Sequence, residues 1–199
     1  LCPNHHGLGS DNAVWTAGAW TTPLGSVSIE ETVARELCAA CSIVHDDTLA
    51  HAYEHAIEVQ LPFLQMLYGT QCTIVPITMK RYILEDCLAL GKALAQVLQG
   101  RNAVVIASSD FSHYEPAAQA RRQDAFALEA ITRLDPEALF ARVEERHITT
   151  CGYGPVAVML AVAQGLGANS AEELAYTNSG DINGDTRRVV GYAAVAVTR

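Results

Sequence analysis

The sequence lacks the features that mark a nucleic-acid-binding or membrane-spanning protein. It has 13 Lys and Arg residues against 22 Asp and Glu residues, for a formal net charge of -9, and it contains no basic cluster beyond isolated pairs such as Arg121-Arg122. Nucleic acid is therefore a poor candidate partner, because phosphate recognition needs a clustered basic surface. No apolar run approaches the roughly 18 residues of a membrane span, and no signal peptide is visible. The sequence predicts a cytoplasmic protein with no membrane partner.

A disulfide framework is not indicated either, although the chain contains six cysteines. Several lie in apolar surroundings, as Cys72 does, which is typical of buried reduced thiols in a cytosolic protein. Cys38 and Cys41 have C-x-x-C spacing, but no second pair accompanies them, so we interpret them as helix-packing thiols and not as a zinc site. Half of the residues are hydrophobic and no repeat or low-complexity linker interrupts the chain. We therefore predict one domain over residues 1–199.

Hydrophobic periodicity predicts strands that alternate with helices. The predicted helices span 29–41, 55–67 with an early interruption at Pro62, 83–98, 117–134, 136–147 and 155–164. The predicted strands span 13–20, 24–29, 72–78, 102–107, 173–178 and 188–197. The run 102–107 is continuously apolar and β-branched, so we predict that it is a buried central strand. The alternation predicts an α/β sheet with helices on both faces and an antiparallel part near the C-terminus.

The chain opens with Leu1-Cys2 running directly into Pro-Asn-His-His-Gly. This pattern is typical of a strand end that leads into a functional loop, and we expect the natural domain to start upstream of it. Neutral imidazole is the commonest metal donor near neutral pH. Since His5 and His6 cannot easily share one metal, we interpret one as a ligand and the other as its support or a substrate contact. A solvated loop with two polar side chains explains the pair equally well.

A polar cluster, Ser108-Ser109-Asp110-Phe111-Ser112-His113, follows the predicted strand 102–107. Asp110 and His113 are three residues apart, so one helical turn would place them on the same side. A carboxylate beside an imidazole fixes its tautomer and raises its basicity, as a general base requires. The alternative is that Asp110 or Ser109 caps the next helix and that His113 is merely exposed.

Cys151 begins the segment Cys-Gly-Tyr-Gly-Pro, which leads into a predicted helix. Close to a helix N-terminus the dipole is expected to lower the pKa of the thiol, so that Cys151 could serve as a soft metal ligand or as a nucleophile. A small apolar filler at a tight turn is the plainer alternative.

Glu54, His55 and Glu58 form neighbouring pairs on one predicted helix. They do not form H-E-x-x-H, because the second histidine is absent, and the metalloprotease interpretation therefore fails. We expect these residues to support a ligand or contact substrate, unless they form only a polar helix face.

Taken in order, these motifs resemble the Memo family. The matching segments are 3–7, 54–62, 108–113, 151–155, 176–181 and 190–194, so that the resemblance spans essentially the whole chain. Any one motif is weak, whereas the whole set in this order is specific. Microbial members often occur in gene neighbourhoods with a radical-SAM protein. The family is similar to the class III extradiol dioxygenases, LigB-like ring-cleaving enzymes with non-haem Fe(II), which implies a three-layer α/β/α sandwich around a mixed, mostly parallel sheet.

The resemblance implies that His5 and Cys151 are metal ligands and that His113, with Asp110 beside it, is the proton-transfer group. We assign the remaining candidates to substrate binding or to ligand support: His6, Glu54, His55, Glu58 and Tyr153. The family has a further ligand histidine in an upstream Pro-His-Ala-Gly-Tyr motif, and this chain contains no such motif. We therefore expect a first strand-loop unit and one ligand to be missing from it.

Two departures from the relatives bear on mechanism. Cys151 stands where extradiol dioxygenases hold iron with a carboxylate, and a thiolate shifts the electronics of the iron and is itself oxidisable. Some relatives have a histidine where this chain has Gly154, which is expected to leave the pocket wall more open. Ring cleavage is not inferred, because a fold alone does not imply an activity.

We therefore expect a cytoplasmic Memo-family metalloprotein that binds Fe(II), or alternatively copper, and oxidises a small aromatic or phenolic substrate with dioxygen. Two alternatives stay open. One is a non-catalytic module that holds a metal or a peptide segment in the same cleft. The other is a nucleophilic enzyme that uses Cys151 with His113 as its base.

Overall fold

The structure, a computed structural model, describes residues 1–199 apart from the side chain of Thr70 and shows a mixed α/β fold. The helices are α1 Glu31–Ala40, α2 Leu61–Tyr68, α3 Leu84–Leu98, α4 Ala117–Thr132, α5 Pro136–Arg146, α6 Tyr153–Gly165 and α7 Ser179–Asn183. The strands are β1 Cys2–Pro3, β2 Asn12–Val14, β3 Ala19–Thr22, β4 Gly25–Ile29, β5 His45–Asp46, β6 Thr73–Ile74, β7 Ile77–Met79, β8 His113–Glu115, β9 Ser170–Asn178 and β10 Val189–Thr198. Among the helices so described, none has both the length and the apolar character needed to cross a bilayer.

The strands form three small sheets, with the orders β1-β7-β2-β5, β3-β4-β6 and β8-β10-β9. The pairings β1/β7, β2/β5 and β4/β6 are parallel, and the other described pairings are antiparallel. Helices and mixed sheets together give the architecture of a three-layer α/β/α sandwich, as predicted. The antiparallel part near the C-terminus is the long β9/β10 pair.

The core lies where α3 packs against α6. Leu90 and Leu94 of α3 and Val158 and Leu160 of α6 are almost fully buried, and each buried side chain of this size contributes roughly 1.5–3 kcal/mol. The helices approach closely at Gly91, where an added Cβ would overlap the side chain of Ala161. This packing fixes α6, whose N-terminal end carries one of the candidate site segments.

Three predicted elements are divided or shortened in the structure, and one of them, the predicted strand 72–78, separates into β6 and β7, which belong to different sheets. The predicted strand 13–20 breaks into β2 and β3 at a bend that includes Gly18, whose φ is +92°. The predicted helix 55–67 is helical as α2 only from Leu61, after a 3₁₀ turn at Glu58–Gln60. Pro62 lies in the first turn of α2, where its missing N–H is not needed, so it starts this helix and does not interrupt it.

The prediction of a buried central strand at 102–107 is wrong. The structure assigns no strand to this run, and Val104 and Ile106 are 80% and 40% exposed. Its described backbone partner is Leu1, whose N-terminal amine donates to Ile106 O at 2.7 Å and whose carbonyl accepts from Ser108 N at 2.9 Å. An apolar run indicates a preference for burial, but it forms a buried strand only where neighbouring strands pair with it on both sides.

Candidate metal centre

The loop after β1 is shaped by the buried side chain of Asn4. Its Nδ2 donates to Leu8 O at 2.7 Å, and its Oδ1 accepts from Gly7 N at 2.8 Å, an Asx-type turn. Gly7 has a φ of +65°, which a glycine adopts without steric cost. The turn leaves His5 and His6 exposed beside the end of β1. The sequence pattern therefore does mark a strand end that leads into an ordered polar loop.

Glu54 is a buried carboxylate that organises this loop. The residue is 3% exposed and accepts hydrogen bonds from His5 N at 2.6 Å, from His5 Nδ1 at 2.9 Å, and from His55 N and Ala56 N at 2.9 Å each. Burial by itself would raise the pKa of Glu54, but the hydrogen bonds from His5 and Ala56 hold that pKa below its usual value. An ionised carboxylate only accepts, so Nδ1 of His5 is the nitrogen that donates to Glu54, and Nε2 is the nitrogen left for a ligand.

His55 lies against His5 and completes a compact group of possible metal donors. The two rings stack with their centroids 4.9 Å apart, and His55 Nδ1 lies 3.4 Å from Glu54 Oε1. One donor atom from each of His5, Glu54 and His55 lies within 4.8 Å of the others. Across the described side chains this is the one group of three or more His, Cys, Asp or Glu residues that is close enough to hold a metal.

The other candidates from this part of the sequence lie outside that group. His6 is exposed and faces the ring of Tyr53, with the centroids 6.1 Å apart. Glu58 is exposed in the 3₁₀ turn before α2. Sequence reasoning missed Tyr53, and its one available signal was its place directly before Glu54 and His55.

A second group of candidate residues forms where the segment 108–113 meets the segment 149–152. Asp110 N donates to Cys151 Sγ at 3.2 Å, and Cys151 N donates to Asp110 O at the same distance. The segments approach closely at Gly152, where an added Cβ would overlap Ser108 O and lie 2.6 Å from Ser109 Cβ. Gly152 is therefore required by close approach, which is the physical reason for glycine beside Cys151.

The expectation of an acidic thiol at Cys151 is wrong. Burial raises the pKa of Cys151, and the nearby Asp110 carboxylate adds to the rise although the Asp110 N–H bond opposes it. Helix α6 begins at Tyr153 with Gly152 as its N-cap, so Cys151 lies outside the first turn. Because a dipole acts mainly within that turn, it does not offset the burial of the thiol.

Thr149 orients His113 through two hydrogen bonds. His113 N donates to Thr149 Oγ1 at 2.7 Å, and His113 Nδ1 lies 2.6 Å from Thr149 O. Because a carbonyl only accepts, Nδ1 carries the proton and Nε2 keeps the lone pair. Asp110 Oδ2 lies 3.9 Å from that Nε2, close enough for attraction to a protonated ring but too far for a hydrogen bond. The predicted helical turn is absent, because His113 begins β8, but the two side chains still lie near each other, and the sequence missed the role of Thr149.

The group around His5 and Glu54 and the group around Cys151 and His113 both adjoin β1, one after the strand and the other at the residue before it. Ser108 N bonds to Leu1 O, which joins the second group to this strand, and His5 follows the strand directly. Burial raises the pKa of Cys2 to about 11, and the nearby Glu54 and Cys151 both add to the rise. Cys2 is thus within electrostatic reach of both groups. Both groups of candidate residues, which come from separate loops, are therefore attached to β1 and the residue before it.

Tyr153 and Gly154 are the first two residues of α6, and both pack against Tyr82. The ring of Tyr153 packs edge-to-face against Tyr82 and Phe140, with centroids 4.8 and 4.9 Å away. The expectation that Gly154 leaves the pocket wall open is wrong, because the Tyr82 ring fills the space where a side chain would begin. Sequence reasoning gave Tyr82 no role, and no motif marks it.

The amino-acid sequence is similar to those of one protein family over nearly its whole length. The sequence model of the Memo-like protein family matches residues 1–196. A MEMO1 family protein of Methanopyrus kandleri is 46% identical over 201 residues, which cover all of this chain and 71% of the relative. Similar proteins of Nitrosopumilus maritimus and Methanosarcina acetivorans are 39% and 43% identical, each over 98% of this chain and over 71% and 73% of their own lengths.

Proposed function

This chain belongs to the Memo-like protein family, and we propose that it is a metalloprotein whose metal is held by His5 and Cys151 at the edge beside β1. The observation that carries the proposal is the contact between Glu54 and His5. A buried carboxylate that accepts the Nδ1 proton of a histidine fixes the ring and raises the basicity of Nε2, as is usual for a metal-ligating histidine.

The donor set fits a transition metal. Imidazole and thiolate are soft or borderline donors that suit iron, copper and zinc, and a thiol loses its proton when it coordinates. Glu54 supports the ligand and is a poor ligand itself, because both of its oxygens already accept hydrogen bonds. His55 lies within reach of His5 and Glu54, whereas Cys151 is not part of that close group, so the metal experiment must test the joint ligation by His5 and Cys151. The metal we propose is Fe(II), with copper as the alternative.

We further propose that the protein oxidises a small aromatic or phenolic substrate with dioxygen, in which a bound metal would supply the site for electron transfer to dioxygen. The contribution of this chain is proton transfer at His113 Nε2, the nitrogen that the Thr149 contact leaves free. Asp110 Oδ2 lies 3.9 Å from that nitrogen. The exposed rings of His6 and Tyr53 lie beside His5, where they could contact a planar substrate.

The first experiment measures metal content and Co(II) absorption spectra after anaerobic purification. We expect near-stoichiometric metal in the parent, a thiolate-to-cobalt charge-transfer band, and loss of metal in His5→Ala and Cys151→Ala. The matched controls are His6→Ala and Cys72→Ala, which should keep the metal. Metal that survives both ligand substitutions, or a parent that binds none, would overturn the proposal.

A second experiment tests the chemistry. With the metal loaded, oxygen uptake is measured against a panel of phenols and catechols, and His113→Ala should abolish turnover while it keeps the metal. Loss of metal in His113→Ala would contradict the proton-transfer role. Full loading without oxygen uptake on any substrate would favour the non-catalytic binding module. Burial raises the pKa of the Cys151 thiol, which disfavours the free thiolate that the alternative nucleophilic role of Cys151 requires.

A further inference from the structure

We propose that Tyr82 is a positioning residue that sets the location of the Cys151 sulfur. Its hydroxyl bonds to the Cys151 carbonyl, and its ring fills the space that Gly154 leaves by having no side chain. The effect of Tyr82 on a bound metal rests on the proposed function, but the contacts that position Cys151 need no metal. Tyr82 lies between β7 and α3, outside every segment that the motif analysis singled out.

The hydroxyl of Tyr82 holds the backbone of Cys151. It donates to Cys151 O at 2.8 Å, while Cys151 N donates to Asp110 O at 3.2 Å. The next amide, Gly152 N, donates to Ser109 Oγ at 2.9 Å. The second and third of these bonds attach Cys151 and Gly152 to the segment 108–110, as does the bond from Asp110 N to Cys151 Sγ, whereas the Tyr82 bond attaches Cys151 to the loop before α3. Loss of the hydroxyl therefore frees the Cys151 carbonyl without breaking the contact with Asp110.

The ring of Tyr82 is fixed by a space that only glycine leaves. A Cβ on Gly154 would overlap Tyr82 Cδ1 and lie 2.8 Å from Cε1. Gly154 lies in the first turn of α6 and has no positive φ, so glycine serves here to make room and not to allow an unusual backbone. Glycine is a poor helix former, which makes the packing of the ring the physical reason for its presence.

Aromatic contacts extend this support into the core. The Tyr82 ring packs edge-to-face on Tyr153, with an interplanar angle of 86°, and Tyr153 packs in the same manner on Phe140 of α5. Such pairs favour one relative orientation of the rings. The hydroxyl that meets Cys151 is thus carried by a ring with little freedom to move. Tyr82 therefore offers the Cys151 carbonyl a rigidly held hydrogen-bond donor.

The test compares Tyr82→Phe with Tyr68→Phe, a matched substitution at an exposed tyrosine of α2. In the metal-free protein, Cys151 labelling by iodoacetamide is followed by mass spectrometry of its peptide, because the chain has five other free cysteines. We expect roughly fivefold faster labelling of Cys151 in Tyr82→Phe, the size set by one lost neutral hydrogen bond. Labelling of Cys38 in the same sample reports any general loosening of the fold. An unchanged Cys151 rate would overturn the proposal whether or not the protein binds metal.

In the Co(II)-loaded protein, the thiolate-to-cobalt absorption band reports the position of the Cys151 sulfur directly, which overall stability does not. Tyr82→Phe should shift or broaden the thiolate-to-cobalt band and weaken cobalt binding roughly fivefold, while Tyr68→Phe leaves both unchanged. An unaltered band and affinity in Tyr82→Phe would overturn the link to the metal. If the parent shows no cobalt band, the metal proposal fails, and the labelling experiment alone decides whether Tyr82 positions Cys151.

A double-substitution cycle tests the steric part. Gly154→Ala alone should lower the melting temperature and speed Cys151 labelling, because the new methyl group displaces the Tyr82 ring. In a Tyr82→Ala background the same Gly154→Ala change should cost nothing, since the ring that it overlaps is gone. Equal costs in the two backgrounds would show that the ring does not occupy that gap.

Discussion

Glu54→Gln is the substitution that most directly tests the physical basis of the site. The change keeps the size of the side chain but replaces one acceptor oxygen by an NH2 group, which can only donate. At Oε1 that group would face His55 N and Ala56 N, and at Oε2 it would face His5 N. Either placement leaves at least one donor without its acceptor at a residue that is 3% exposed.

The size of the effect follows from these contacts. A buried donor without an acceptor costs about 1–3 kcal/mol, and the remaining bonds also lose their charge assistance. We expect the metal-free variant to lose about 2–4 kcal/mol of unfolding free energy, or roughly 5–15 °C in melting temperature for a chain of this size. Metal affinity should fall about 10–100-fold, because the His5 ring loses the partner that fixes its tautomer.

The assay is thermal unfolding by circular dichroism across pH, followed by metal titration, with Glu58→Gln as the matched control. Glu58 is exposed, so its substitution should change stability by less than about 0.5 kcal/mol. The pKa of Glu54 is lowered in the fold, so its stabilisation is complete above the unfolded pKa near 4.5 and is lost as pH falls through the lower folded value. The stability gap between parent and Glu54→Gln should therefore narrow only in acid. Equal stability and metal affinity in the two glutamine variants would refute the reasoning.

Three further predictions concern residues that hold the site or its surroundings. Burial lowers the pKa of His51 to about 4, so the unfolding free energy should fall by up to about 3 kcal/mol as pH falls from about 6.5 to 4. Denaturant titrations should show that this pH-dependent loss disappears in His51→Phe and remains in His147→Asn. Gly152→Ala should lower the unfolding free energy by more than the roughly 1–2 kcal/mol expected for Gly100→Ala, because Gly100 has a φ of +74° but open space around it. In a metal-binding assay, only Gly152→Ala should lose metal. Asp124→Ala should lower unfolding free energy by about 3 kcal/mol in urea titrations, because this fully buried carboxylate accepts three hydrogen bonds from Ser112 and Tyr176; a loss under 1 kcal/mol would contradict that role.

The candidate site shows where prediction from sequence works. The motif around His5 marked a real strand end and loop, whereas Asp110 and His113 lie near each other without the helical turn that their spacing suggested, because His113 begins β8. These are short-range relations, which the local backbone geometry largely decides. The pKa of Cys151 was predicted in the wrong direction, because burial depends on what packs over a residue and not on its neighbours in sequence.

The sequence by itself determined the identities of the donors, the positions of most helices and the order of the motifs that identify the family. Only the tertiary structure decided that Glu54 is buried and holds the Nδ1 proton of His5, that Thr149 and not Asp110 bonds to His113, and that Tyr82 fills the gap at Gly154. Each of these contacts joins residues that are 36 or more positions apart in the chain, except that Asp110 lies three residues from His113. Helical periodicity and turn chemistry act over a few residues, whereas which distant side chain supplies a hydrogen bond, or a ring to fill a gap, is set by how the layers pack.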